Sequence, residues 1–411
     1  MSIPYWLLAI VGAALSLGPI ATIILWGSVW IRVEHWMRVV PTLQLGQDLA
    51  ATNPPRGRVC VIVPAYNEAR AIAGLVQSLR SETYAELSVV LALDRCRDAT
   101  AAIARAAIGD DERFEIVEID HCPAHWAGKV HAVHAGFTRS HGAADADYLL
   151  FADADTVFTP GCIAASVAMM RHRKLDLLSL LSTLSHDTWF ERVVQTAAVF
   201  ELLRQYPLTL ANARKDRRAF ANGQFMLFTR EAYRAVGGHE AVKHALLEDL
   251  ALARLIEEQG CKAGVFLAAG LFHCRMYASW SEFRRGWKRI YIEAANRKAR
   301  RLGQSSWWIR FLGSILPGWM LAAGPLGAVI IVGHPRLGWA LVTLWPVALL
   351  LWLGALVRIS TLARAPRWTA PLHIVGAWLT ANLLSEAAHD LRARKPTRWG
   401  GREYDLRARK V

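Results

Sequence analysis

Residues 3–31 carry no charged side chain, and this one stretch restricts the possible folds more than any other. A run of that length can cross the ~30 Å hydrocarbon layer of a bilayer, where the backbone must satisfy its own polar groups and therefore winds into a helix. It is too long for the core of a signal peptide, and no small-residue cleavage site followed by a polar start accompanies it. Residues 311–333 and 337–357 are also uncharged, separated only by His334-Pro335-Arg336, and read as a helical hairpin across the bilayer. Residues 369–384 form a shorter apolar stretch ending in Glu386, His389 and Asp390, which spans, re-enters or lies on the surface.

Composition agrees with a membrane setting, since 54% of residues are hydrophobic and 17 are tryptophan. The net charge of +14 sits beside the apolar stretches, which fits a positively flanked membrane protein and not a nucleic-acid partner. Arg32 and Arg38 place the inner end of the first span in the cytoplasm, and the basic tail 392–410 belongs there too. Three spans with an external amino end satisfy both; a fourth would put the tail outside. The expected organisation is a transmembrane helix (1–35), a cytoplasmic domain (55–275), a basic amphipathic interfacial helix (279–306), a hairpin plus interfacial or re-entrant helix (307–391) and a basic cytoplasmic tail (392–411). Such a protein is a multi-pass resident of the cell's inner membrane, in contact with its lipids. The six cysteines show no C-x-x-C pair, and His121-Cys122 and His273-Cys274 are not zinc spacings, so free thiols in a reducing cytosol are expected.

From Arg58 the pattern changes. Predicted strands over 59–63, 87–93, 114–119 and 148–152 alternate with predicted helices over 68–80, 98–107 and 129–139, the rhythm of a parallel, doubly wound α/β sheet. Further on, the sequence predicts a strand over 175–181, a helix over 190–205, a strand over 220–229 interrupted by Asn222-Gly223, a helix over 246–259 and a strand over 262–267. Ligands of such sheets bind outside the carboxyl ends of the strands. The loops to watch are therefore 64–68, 94–98, 125–129 and 153–156, all of which carry polar or charged residues.

The apolar run Tyr148-Leu149-Leu150-Phe151 empties directly into Asp153-Ala154-Asp155. Two carboxylates at i and i+2 after a buried strand need compensation, and hard oxygen ligands there suit Mg or Mn shared with the phosphates of a nucleotide. Two solvated loop aspartates are the alternative. Lys129 follows a glycine at a helix start, where free N–H groups and positive charge favour phosphate, against the alternative of a plain surface lysine. Glu248-Asp249 opens another helix, either for general-base work or because acids favour the positive end of a helix. Asn222-Gly223 allows a backbone to approach a ligand closely. His239 could line the same site.

The ordered set Val61-Ile62-Val63-Pro64-Ala65-Tyr66-Asn67-Glu68, Asp94, Asp153-Ala154-Asp155 and Glu248-Asp249 resembles family 2 glycosyltransferases with the GT-A, Rossmann-like fold. Trp126-Ala127-Gly128-Lys129 and the tail Trp399-Gly400-Gly401-Arg402-Glu403-Tyr404 resemble the membrane-bound branch associated with hopanoids and carotenoids, and more distantly ceramide glucosyltransferases. The resemblance implies inverting transfer of one sugar from a UDP-sugar to the hydroxyl or carboxyl of a lipid acceptor. Asp155 would then contact the metal most directly, with Asp153 nearer the ribose. Asp94 would bind uracil, with Pro64, Ala65, Tyr66 and Glu68 walling the base, and Gly223 would approach the donor sugar. Asp249 would be the general base and Glu248 its orienting neighbour.

One departure stands out. Processive members carry Q/R-x-x-R-W, whereas this chain reads Arg284-Arg285-Gly286-Trp287, with glycine in the second arginine's place. That argues against a polymer synthase and leaves the leaving-group cation open among Arg275, Arg284, Arg285 and Lys129. A polysaccharide or polyprenyl-phosphate glycosyltransferase is the rival reading, and a catalytically inactive nucleotide-sugar-binding scaffold is another.

Overall fold

Between Val59 and Cys274 the described residues supply ten short strands: β1 (Val59–Ala65), β2 (Leu87–Asp94), β3 (Phe114–Ile119), β4 (Tyr148–Ala152), β5 (Thr156–Phe158), β6 (Leu177–Leu181), β7 (Thr183–Leu184), β8 (Phe225–Thr229), β9 (Ala263–Leu267) and β10 (Phe272–Cys274). They are seen in a computed structural model that describes residues 5–213, 218–399 and 402–404. Seven form one sheet in the order β3-β2-β1-β4-β8-β6-β9. Strands β1 to β4 run parallel, and β8 alone opposes its neighbours β4 and β6. The mostly parallel α/β sheet is thus as the sequence predicts.

Central strands of such a sheet are covered on both faces and so are apolar almost throughout. Alternation along β1 divides them between two cores. Val59, Val61 and Val63 pack with Leu75 and Leu79 of helix Ile72–Arg80 on one face. Cys60 and Ile62 pack with Val130 and Val133 of helix Gly128–Arg139 on the other. That second helix lies so close that a Cβ on Gly136 would come 2.9 Å from Ile62 Cγ2. The strand order reverses between β1 and β4, so a crevice opens where both strands end. A small sheet, β5-β10-β7, then folds residues 272–274 back against 156–158 beside that crevice.

Several boundaries differ from expectation. The strand expected over 220–229 starts only at Phe225, because the Asn222 N–H is taken by Ser179 Oγ at 2.8 Å and its side-chain amide by Leu180 O at 2.8 Å. Asn222-Gly223 therefore precedes β8 and does not interrupt it. The helix expected from residue 68 begins at Ile72, after a turn with Asn67 at φ 56°. The basic stretch expected as a single helix is two, Trp280–Ala294 and Ala299–Arg310, parted where Asn296 and Arg297 take φ values of 52° and 55°.

Among the described residues, three helices are long and apolar enough to cross a membrane: Ala9–Val39, Ala299–Ile330 and Pro335–Leu362. The second begins well before residue 311 and passes through a π-turn at Phe311–Ile315. Helix His373–Arg392, from the ambiguous apolar stretch, is not among the three. It buries Ala377, Ala381, Leu384 and Ala387 in a core shared with Phe283, Trp287 and Tyr291 of helix Trp280–Ala294. In the tail, Thr397–Trp399 pairs with Arg402–Tyr404. Gly400, Gly401 and residues 405–411 lie outside the described residues.

Candidate active site

The ends of β1, β2 and β4 and two helix starts converge on the crevice. The carboxyl end of β4 delivers Asp153 and Asp155, and the start of helix Gly128–Arg139 brings Lys129 in from one side. The start of helix Glu248–Glu258 brings Glu248 and Asp249 from the other. Lys129 Nζ joins the two groups, 2.7 Å from Asp153 Oδ1 and 2.6 Å from Glu248 Oε1. Burial alone would pull the Lys129 ammonium down, but Asp153 and Glu248 outweigh it and hold it up. Burial likewise works against the Glu248 carboxylate, yet Lys129 keeps it below its ordinary value.

Gly223 lies over this junction. Its N–H donates to Asp249 Oδ2 at 2.9 Å, and a Cβ there would sit 3.2 Å from that oxygen, 3.3 Å from Glu248 Oε1 and 3.3 Å from Lys129 Nζ. Asp249 Oδ1 accepts the Leu250 N–H at 2.7 Å. Burial, then the adjacent Glu248, pushes the Asp249 carboxyl up to about 6, the range of a group that exchanges protons near neutrality.

The Asp155 carboxyl is pushed further, to about 8, by burial and then by Asp153 and Glu68. Its Oδ1 is buried with no hydrogen-bond partner. Glu68 itself rises to about 7, through burial and then Asp153 and Asp98. Its carboxyl thus belongs electrostatically with the Asp153-Asp155 pair, whereas the sequence suggested a wall beside a base. Asp98 ties the two nearby loops together, accepting the Ala69 N–H at 3.2 Å and the Thr100 N–H at 3.0 Å. Among the described residues no three His, Cys, Asp or Glu side chains are arranged to cage an ion by themselves.

The remaining expected residues are distributed unevenly. Asp94 ends β2 as expected, but Arg95 takes both of its oxygens, at 2.8 and 2.6 Å, and lies 5.5 Å over the Tyr66 ring. Arg95 carries no sequence signal beyond adjacency to Asp94. Pro64 and Ala65 close β1 beside it. Arg284 is turned away from the crevice and bonds both Glu386 oxygens at 2.8 Å. Arg285 is exposed. Arg275 is also exposed, though its N–H donates to Asp155 O at 3.1 Å. Of the four candidate cations, Lys129 is the one whose side chain joins the cluster. Trp287 is buried against Phe283 and Tyr291 and lines a cavity that Asp249 also lines. His239 is buried beneath the cluster, its Nδ1 2.8 Å from Tyr233 Oη, and burial holds it down to about 3. It is a neutral support and does not line the open site.

The sequence reading named Arg275-Met276-Tyr277 only as an alternative diphosphate contact and gave Tyr277 no packing role. A Cβ on Gly286 would fall 2.0 Å from Tyr277 Oη, so the buried phenol fills the space left by the glycine that replaces the motif arginine.

The crevice at the strand-order reversal thus gathers acids from the end of β4 and from the start of helix Glu248–Glu258. Residues 54–301 match the glycosyltransferase-like family 2 model, and the chain belongs to that family. It is 26% identical over 262 residues to 4,4'-diaponeurosporenoate glycosyltransferase of Staphylococcus aureus strain MRSA252, covering 62% of this chain and 66% of that protein, just under two thirds. Among solved structures it is similar to mannosyltransferase PcManGT from Pyrobaculum calidifontis in complex with GDP-Man and Mn2+, at 18% identity, 94% of this chain, 99% of that one and a TM-score of 0.47. It is also similar to S. aureus TarS 1-349 in complex with UDP-GlcNAc, at 12% identity, 85% and 96% coverage and a TM-score of 0.42.

Proposed function

We propose that the protein is a membrane-bound, inverting glycosyltransferase that moves one sugar from a UDP-sugar to a lipid acceptor, with its sheet domain in the cytoplasm. The observation that carries this reading is the cluster in which Lys129 bridges Asp153 and Glu248 while Asp249 stands alongside, at the wall of an apolar cavity. Family membership and the three apolar helices support it.

Transfer needs an acceptor oxygen to form its bond to the anomeric carbon as the bond from that carbon to the diphosphate breaks. The proton released by the acceptor goes to Asp249, whose Oδ2 is aimed by the Gly223 N–H. Glu248 holds Lys129, and Lys129 supplies positive charge beside Asp153, where charge grows on the leaving group. The residues present also fit a divalent cation. Asp155 offers a buried, unpartnered oxygen, and Glu68, Asp153 and Asp155 crowd negative charge that one lysine does not neutralise. Asp155 and Asp153 would hold Mg or Mn, which when bound neutralises diphosphate charge, the other oxygens coming from phosphate or water.

The test is nucleotide release by detergent-purified protein with Mn, a panel of UDP-sugars and a total lipid extract. Lipid-dependent UDP release that is lost in Asp249→Asn is the expected result. Release indifferent to lipid, or unaltered in the variant, overturns the reading, and full activity in excess chelator removes the metal from it.

A further inference from the structure

Where β1 and β2 run side by side, Pro64 is level with Ala92 and Ala65 with Leu93, so Tyr66 and the loop after Asp94 leave the sheet together. The two loops are stitched to each other. The Arg97 N–H donates to Asn67 Oδ1 at 2.8 Å, and the Cys96 thiol to Ala65 O at 3.4 Å. Arg95 between them is left-handed, with φ 48°, a conformation uncommon for a residue that bears a side chain. Outliers of this kind cost free energy and gather at ligand sites. The Arg95 N–H donates to Ile119 O at 2.8 Å, at the end of β3, and holds the turn. The guanidinium then folds back on the preceding side chain: Nε donates to Asp94 Oδ1 at 2.8 Å and Nη2 to Asp94 Oδ2 at 2.6 Å. Asp94 is 3% exposed, and the half-buried guanidinium lies 5.5 Å over the Tyr66 ring, itself half-buried. The transfer steps above make no use of this pair.

Its chemistry restricts what can bind against it. A guanidinium fork across both oxygens takes the lone pairs at the open end of the carboxylate and leaves the outer ones, while the guanidinium keeps N–H donors to spare. The pair thus presents an acceptor beside a donor, held in one plane. Uracil carries the matching edge, an N3–H flanked by the C4 carbonyl. Cytosine reverses that edge, and its N3 lone pair would face the carboxylate. Guanine offers neighbouring donors, N1–H and the 2-amino group, which suit a carboxylate read end-on; Arg95 already covers that end of Asp94. Resting on the transfer reading above, we infer that Arg95 sets the nucleobase of the donor: it locks Asp94 into a combined acceptor–donor edge that takes uracil beside Tyr66 and turns away guanine and cytosine.

The test is the affinity of the full chain in detergent, with Mn, for UDP, GDP and CDP by calorimetry, in the wild type, Arg95→Ala and Arg95→Lys. The wild type is expected to bind UDP about tenfold more tightly than GDP or CDP. Arg95→Ala frees the open end of Asp94 for guanine, and the UDP-to-GDP preference is expected to shrink by about tenfold. Arg95→Lys keeps a cation against Asp94 without the fork, so it preserves the charge balance and is expected to lose the same preference. Melting curves show which variants fold; if Arg95→Ala does not, because Asp94 is left a buried anion, Arg95→Lys carries the comparison. A folded variant whose affinities all fall together, with the UDP-to-GDP preference unchanged, reduces Arg95 to a structural partner of Asp94 and overturns the inference. Wild-type protein that binds GDP or CDP as tightly as UDP overturns it too, while leaving glycosyl transfer intact. Failure of the wild type to bind any of the three, with no nucleotide release in the lipid-extract assay, defeats the transfer reading itself.

Discussion

At the residue scale, Asp249 is poised by two opposing influences. Burial and Glu248 raise its carboxyl to about 6, while Lys129 and the N–H groups of Gly223 and Leu250 oppose that rise. A base works only when deprotonated, so turnover is expected to fall as pH drops through about 6, and Asp249→Asn to lose about 10²–10⁴-fold along with that acid limb. A pH–rate profile of kcat/KM on both proteins checks this. Lys129 has a structural share as well. Lys129→Met leaves Glu248, 5% exposed, as a buried anion without its cation, and is expected to cost about 3 kcal/mol at neutral pH. Because Lys129 holds the Glu248 carboxyl below its unfolded value, the stabilisation is present above that unfolded value and fades as pH falls through the folded one. Denaturant melts at pH 7 and pH 4 should show the deficit shrinking, with Glu248→Gln in the same chain restoring most of it. The acids at the ends of β4 and of helix Glu248–Glu258 were legible because each interrupts an apolar pattern with paired charge. The partnership of Glu68 with Asp155 was not, since it depends on a left-handed turn at Asn67 that no glycine announces.

At the element scale, helix Trp280–Ala294 works differently from what its composition suggests. Its basic residues do not all face outward: Arg284 bonds Glu386 at 2.8 Å and Lys288 bonds Asp390 at 2.5 Å, both on helix His373–Arg392. Those acids lie about a hundred residues away in the chain, so periodicity within the basic stretch carries no trace of them. The break at Asn296-Arg297 was equally hidden, as neither residue is Gly or Pro. What the sequence did mark is Gly286. Added side-chain volume there meets Tyr277 Oη at 2.0 Å and Cζ at 2.3 Å, so the buried phenol must shift. Gly286→Ala is expected to destabilise by about 1–3 kcal/mol through overpacking. Combining it with Tyr277→Ala should cost less than the sum of the two single changes, which thermal melts of the three variants would show. Strict additivity would mean that the phenol and the glycine are independent.

At the scale of the whole molecule, the apolar helices and the sheet are joined by more than a tether. Hydropathy revealed the first helix, since uncharged length is a one-dimensional signal, and the α/β rhythm revealed β1 to β4. The seat of the first helix was not readable, because it is made by residues far apart in sequence. Trp26 is buried and its Nε1 donates to Leu312 O at 3.2 Å, and Glu34 pairs with Arg358 at 2.6 Å. Just beyond the helix, the Leu43 N–H donates to Leu267 O at 2.9 Å and the Leu267 N–H to Pro41 O at 3.0 Å, so Thr42 lies alongside the edge strand β9 as a parallel bridge. A Cβ on Gly354 would fall 2.1 Å from the Trp30 ring, which means that helix Pro335–Leu362 meets this helix closely. If residues 5–35 served only as an anchor, an unrelated apolar helix of equal length would replace them without effect. The packing argues otherwise. The exchanged chain should still reach the membrane, yet melt several degrees lower in detergent, as loss of a buried tryptophan contact and an ion pair removes about 2–4 kcal/mol. An unchanged melting temperature with unchanged lipid-dependent turnover would reduce the first helix to an anchor, and would place the cohesion of the assembly in the remaining helices alone.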